Sequence, residues 1–146
     1  MKIIVVGDGK VGLTLTEQLS KEEHVIDKNP TVLQNSQETF DVMVVPGNGA
    51  SRQVLLEAGA QDADLVIAAT SADEINLLCC LTAKKLGCTH TIARVRNPEY
   101  AGQLVFLKDE LGLSMVINPE ATAAREMFQI LQFPSFLNVT VLPRAE

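Results

Sequence analysis

Three glycines, Gly7, Gly9 and Gly12, stand in the spacing G-x-G-x-x-G directly after the apolar run "KIIVV" (Lys2–Val6). That spacing suits a cradle for phosphate. Gly7 permits a tight turn, Gly9 lets the backbone approach a pyrophosphate, and Gly12 lets helix and strand pack closely. The helix that such a loop opens supplies free N–H groups and partial positive charge for an anion. Asp27, 20 residues after Gly7, ends the next apolar stretch. A carboxylate placed there can accept hydrogen bonds from ribose hydroxyls. The same glycines would also serve a strand-to-helix turn that holds no ligand.

Two details modify the pattern. Asp8 puts an acid inside the loop, and its field there is unfavourable to an anion. Only 14 residues lie between Gly12 and Asp27, which compresses the helix and strand that must fit between them. Asp27 disfavours a 2′-phosphate and so favours NAD over NADP, with Lys28 beside it acting in the opposite sense.

Further along, Thr70 and Ser71 end an apolar run at the edge where open α/β sheets bind ligands. Ser71 is equally suited to a plain helix N-cap. Arg94 and Arg96 are two apart on an extended segment and so face the same way. An arginine at that edge can reach phosphate oxygens, whereas a surface ion pair is the competing role, more so for Arg96. For catalysis the chain offers little. His24 and His90 are the only histidines and fall near strand starts, and there is no G-x-S-x-G, Walker lysine motif or metal-spaced His/Cys cluster.

The elements that must position these residues alternate regularly. "KIIVV" reads as a strand buried on both faces. Val11, Leu15 and Leu19 predict a helix from about Lys10 to Lys21. "HVID" (His24–Asp27) is a second strand, and Asn29-Pro30 opens a helix with Asn as N-cap and Pro at the first helical position. "DVMVV" (Asp41–Val45) is a third strand, and "PGNGAS" (Pro46–Ser51) leads into a helix capped by Ser51 and ended by Gly59. "ADLVIAAT" (Ala63–Thr70) is a fourth. The helix after it carries a Ser71/Glu74 capping box, an apolar face of Ile75, Leu78, Cys79, Thr82 and Leu86, and Gly87 at its end. "HTIARV" (His90–Val95) and "SMVI" (Ser114–Ile117) are the last strands, followed by helices that start at Asn97-Pro98 and Asn118-Pro119, the second running to about Gln132. Alternation of this kind requires crossover connections and a parallel sheet. The expected fold is Rossmann-like α/β: a doubly wound parallel six-stranded sheet in the order 3-2-1-4-5-6, with helices on both faces and a C-terminal crossover helix.

The chain's 146 residues suit one domain with a single core. A net charge of −6 with scattered Lys and Arg argues against a nucleic-acid binder. No apolar run approaches the roughly 20 residues of a membrane helix, so direct membrane insertion is not expected. The adjacent Cys79 and Cys80, within an apolar helical pattern, read as buried reduced thiols and point to a cytoplasmic location. On the last helix Ala121, Ala124, Phe128 and Leu131 form one apolar face, and Ala123, Met127 and Ile130 form another. So broad a surface covers either the sheet or a partner, of which a second copy is the natural one.

Laid in order, the glycine loop, "VIDKNP", "VVPGNGAS", "LLEAGAQDADLVIAATSADEINLLCCLTAKKLG", "TIARVRNPEY" and "VINPE" resemble one family. The chain is similar to the TrkA N-terminal domain, also called KTN or RCK, of the cytosolic regulatory subunit of Trk-type potassium uptake systems. The resemblance covers residues 1–137, which it implies form the nucleotide-binding domain. Residues 138–146 then read as the start of a linker toward a C-terminal domain. It implies a sensor and not an enzyme, with NAD(H) or ATP/ADP as a regulatory ligand in the Rossmann cleft. It also implies a homodimer or larger ring beneath a membrane potassium transporter or channel subunit, at the inner face of the cell membrane through that partner. By position, the ligand contacts would be Gly7, Asp8, Gly9, Lys10 and Val11 in the phosphate loop, Asp27 at the ribose, and Thr70, Ser71 and Arg94. The family usually has a longer stretch between Gly12 and the acid. A small NAD-dependent oxidoreductase, or a fragment of one, is the alternative, and would require a proton donor beside the nicotinamide. A nucleotide-independent assembly module is a third.

Overall fold

The structure, a computed structural model, describes residues 1–7, 9, 12, 23–40 and 42–132. The helix expected over Lys10–Lys21, the loop residues Asp8, Lys10 and Val11, the segment Phe133–Leu137 and residues 138–146 lie outside the described residues.

Six strands, β1 (Ile3–Val6), β2 (Glu23–Asp27), β3 (Met43–Pro46), β4 (Leu65–Ala68), β5 (His90–Arg94) and β6 (Met115–Ile117), form one sheet in the order β3-β2-β1-β4-β5-β6. Every pairing is parallel. Between them run the helices α1 (Pro30–Thr39), α2 (Arg52–Glu57), α3 (Asp73–Leu86) and α4 (Pro98–Leu111), a 3-10 turn at Ala60–Asp62, and after β6 the last helix α5 (Pro119–Gln132). Fold class and strand order are those the sequence predicts.

β1 is central, and all four of its residues are buried, which is why its sequence is a continuous apolar run and not an alternation. Ile4 and Val6 pack on one face with Ile26, Leu55 of α2, and Cys79, Cys80 and Ala83 of α3. Ile3 and Val5 pack on the other face with Ile67. Val25, in register with Val5, meets Leu33 of α1 there. The three buried cysteines are inert thiols. Burial pushes Cys79 up to about 12 and raises Cys80 and Cys88 as well, and Cys80 and Cys88 donate to the carbonyls of Ile92 and His90.

The Asn-Pro pairs cap as expected. The Asn29 side chain accepts from Thr31 N–H at 3.0 Å, Asn97 from Glu99 N–H at 2.9 Å, and Asn118 from Ala121 N–H at 3.1 Å. Two other expectations are corrected. Ser51 occupies the N-cap position of α2 but makes no side-chain cap bond. The Ser71/Glu74 box does not form, because α3 starts one residue later with Ala72 at the N-cap. Glu74 instead accepts from the Tyr100 hydroxyl at 2.6 Å, and that bond holds its carboxyl below the usual range.

Candidate functional site

At the carboxyl ends of β1 and β4, on either side of the point where strand order reverses, lies a cavity of about 390 Å³. Small-molecule sites occupy roughly 300–1,000 Å³ and favour this switch point. Gly7 and Gly9 form one wall, Asp27 and Lys28 a second, Asn48 and Gly49 a third, and Thr70, Ser71 and Arg94 the side toward β5.

Each wall has a local cause. Gly7 has φ +87°, and a Cβ there would stand 2.8 Å from the Thr70 backbone, so the chain ends of β1 and β4 approach this closely only without a side chain. Gly9 differs: a Cβ on it would meet no atom within 4 Å among the described residues, and it opens onto the cavity. Asp27 accepts from Asn29 N–H at 2.8 Å, while its carbonyl takes Gly47 N–H at 2.9 Å, stitching the ends of β2 and β3 together. Gly49 passes so close to Val6 that a Cβ would fall 2.0 Å from Val6 Cγ1.

The β4 end is organised by Asn76, a fully buried residue of α3. Its Oδ1 accepts from Thr70 N–H at 2.8 Å and Thr70 Oγ1–H at 2.6 Å, and its Nδ2 donates to the carbonyls of Thr70 at 3.0 Å and Arg94 at 2.8 Å. The amide thus spends both donors and its acceptor on fixing two cavity residues at once. The Arg94 side chain is 11% exposed, and its Nη2 donates to Glu120 Oε1 at 2.5 Å. Its Nε is buried with no hydrogen-bond partner among the described residues. Glu120 lies in the first turn of α5, and its carboxyl is held below the usual range by its own backbone N–H and then by Arg94.

The model of the TrkA-N domain matches residues 3–119. The chain belongs to the TrkA-N domain family. Over 145 residues it is 39% identical to the "Trk system potassium uptake protein TrkA" of Haemophilus influenzae, covering 95% of this chain and 32% of that protein. This TrkA-N domain therefore spans about a third of the length of that curated relative. Among solved structures it is similar to the TrkA-N domain of the inner membrane protein ybaL from Escherichia coli, with a TM-score of 0.78 at 24% identity over 90% of this chain and 96% of that one. The GsuK channel, in structures bound to NAD and to ADP, matches with a TM-score of 0.65 at 25% identity. The match covers 80% of this chain, and 21% and 31% of those chains.

Of the site residues expected from sequence, the TrkA-N domain brings Gly7, Gly9, Asp27, Thr70, Ser71 and Arg94 to one cavity. Gly12 is buried and is not among the lining residues. Asp8, Lys10 and Val11 lie outside the described residues. Arg96 falls past the end of β5 and donates from its Nη2 to the Ser71 carbonyl at 3.0 Å. It borders a second, open depression with Asp73 and Glu74, which shares Ser71 and Ala72 with the cavity. Sequence reasoning missed Asn48 and Gly49 as cavity walls, and it missed Asn76. The signal for Asn76 was a polar side chain on the helix line that also carries Cys79, Cys80 and Ala83.

Proposed function

We propose that this chain is the nucleotide-binding domain, residues 1–137, of a cytoplasmic regulatory subunit that gates a membrane potassium transporter or channel. It takes NAD(H) or ATP/ADP as a signal and consumes neither. The observation that carries this reading is the convergence of Gly7, Gly9, Asp27, Thr70, Ser71 and Arg94 on one cavity at the switch point of the sheet. The residues fit a nucleotide on two further counts. The open space at Gly9 is what a backbone-to-phosphate approach needs, and the unpartnered Nε of Arg94 is a buried donor awaiting an acceptor. Asp27 stands where it would accept from ribose hydroxyls. The names of the TrkA relative and of the NAD- and ADP-bound GsuK channel support the same ligand class and the same kind of partner.

A regulatory role is supported by what surrounds the cavity. Neither histidine nor Tyr100 lines it, and the charged side chains that do, Asp27, Lys28 and Arg94, are of the kind that a ribose and phosphates would engage. Gating would proceed by population shift. Gly9, Asp27 and Arg94 would hold the ligand more tightly in one arrangement of paired domains, and that difference in affinity is what biases the partner. Through that partner the subunit would lie at the inner face of the membrane. No described helix is long and apolar enough to cross one.

Calorimetric titration with NAD, NADH, ATP and ADP tests the reading, repeated on Gly9→Ala and Asp27→Ala. Gly9→Ala is a clean probe, since its methyl meets no described protein atom. It is expected to leave the melting temperature unchanged and to weaken binding at least tenfold. No saturable binding by any of the four would reduce the chain to an assembly module.

A further inference from the structure

Arg94 stands between two regions. Its backbone carbonyl is fixed by Asn76 on α3, its side chain lines the cavity, and its Nη2 reaches out to Glu120 on α5. The guanidinium is mostly buried, whereas the Glu120 side chain is 54% exposed. A guanidinium fork offers its paired N–H groups to a carboxylate or to a phosphate in the same geometry, and the same pair of N–H groups cannot serve both. Glu120 holds Nη2 while Nε is left without a partner among the described residues, so a phosphate that takes the Nε/Nη2 pair contends with Glu120 for Nη2.

We propose that Glu120 and the nucleotide's phosphates compete for Arg94, so that Glu120 sets how much phosphate charge the cavity accepts and ties its occupancy to α5. This rests on the nucleotide reading above. The Arg94–Glu120 pair fastens the first turn of α5 to the end of β5. When Arg94 turns to a phosphate oxygen, Glu120 is released, and its negative charge beside the site opposes each further phosphate. Linkage makes the effect reciprocal: whatever loosens Glu120 from Arg94 strengthens phosphate binding, and phosphate binding loosens α5. Helix α5 carries an exposed apolar face that includes Met127, Phe128 and Leu131, so the ion pair joins the ligand site to that face.

The test is calorimetry with AMP, ADP and ATP on the 146-residue chain and on Glu120→Gln, at one ionic strength and with EDTA present. Amide hydrogen exchange over residues 122–132 with and without ADP is measured alongside. Glu120→Gln is expected to bind ADP about threefold to fivefold more tightly, the scale of a partly exposed ion pair, with a larger gain for ATP than for AMP. ADP is expected to speed exchange in α5 of the unsubstituted chain and to leave it unchanged in Glu120→Gln. Equal or weaker binding by Glu120→Gln overturns the inference, since Glu120 would then be idle or would assist the ligand. An unchanged exchange pattern in the ADP-bound unsubstituted chain overturns it as well. If the unsubstituted chain binds none of the three, the nucleotide reading falls and takes this inference with it. Binding without a Glu120 effect removes this inference alone.

Discussion

The carboxyl edge of the sheet and helix α5 are joined by the Arg94–Glu120 pair and are built in opposite ways. At the edge, backbone groups near the cavity are satisfied from within the chain: Gly7 N–H by the Ile26 carbonyl at 2.8 Å, Ala69 N–H by the Val6 carbonyl at 2.8 Å, and Thr70 N–H by Asn76. Arg94 Nε is the described side-chain atom at the cavity left over. On α5 every residue from Thr122 to Leu131 is exposed, including Met127 at 65%, Phe128 at 59% and Leu131 at 62%. The edge spends its polar groups on rigidity and leaves one donor, Arg94 Nε, without a partner among the described residues. The helix keeps its apolar groups for something outside the fold described here. Rigidity next to an uncommitted surface fits the ligand-driven regulator proposed above, which needs a site that can tell two arrangements apart.

The largest effect should come from breaking the rigid side. Asn76→Ala removes four hydrogen bonds at once and strands the backbone groups of Thr70 and the Arg94 carbonyl. A loss of about 2–4 kcal/mol in unfolding free energy is expected by urea denaturation. Nucleotide affinity should fall with it, since both cavity residues lose their support. Stability within 1 kcal/mol of the unsubstituted chain would mean that the edge is held by something other than this amide. Gly49→Ala is next. Its methyl would intrude on Val6, which is 1% exposed and cannot move aside without disturbing β1. The expected cost is about 1–3 kcal/mol. Set beside Gly9→Ala, which should cost almost nothing, it separates glycines that serve the fold from the one proposed to serve the ligand.

The difference between the regions also decides what was legible in the sequence. Strands were legible because β1 and β4 are buried and bounded by glycine or polar residues, and the three Asn-Pro pairs capped because that chemistry is local. The cavity residues were legible where a motif carries them, as Gly7, Gly9 and Asp27 do. What escaped depends on distant partners. The face of α3 was expected to hold Ile75, Leu78, Cys79, Thr82 and Leu86, yet Leu78 is 49% exposed and the buried line is Asp73, Asn76, Cys79, Cys80 and Ala83. Small side chains let the helix sit close to the sheet. Its two polar ones are buried because Thr70, Arg94, Arg96 and Asn97 supply backbone partners that no periodicity can foresee. The Arg94–Glu120 pair, 26 residues apart, escaped for the same reason.

The smallest effect on the fold should come from the other side of the comparison. The sequence left two covers open for the apolar faces of α5, the sheet or a second copy, and the exposure of Met127, Phe128 and Leu131 removes the first. Phe128→Ser is therefore expected to change the unfolding free energy of the dilute chain by less than about 0.5 kcal/mol, as for other exposed positions. Leu104→Ala, which empties a buried place on α4, should cost about 2–4 kcal/mol. Sedimentation separates what stability cannot. If a second copy covers α5, the unsubstituted chain dimerises as concentration rises and Phe128→Ser stays monomeric under the same conditions. A large loss of stability in Phe128→Ser would show instead that the face is core after all. A monomer at high concentration in both chains would send the search for its cover to the proposed membrane partner.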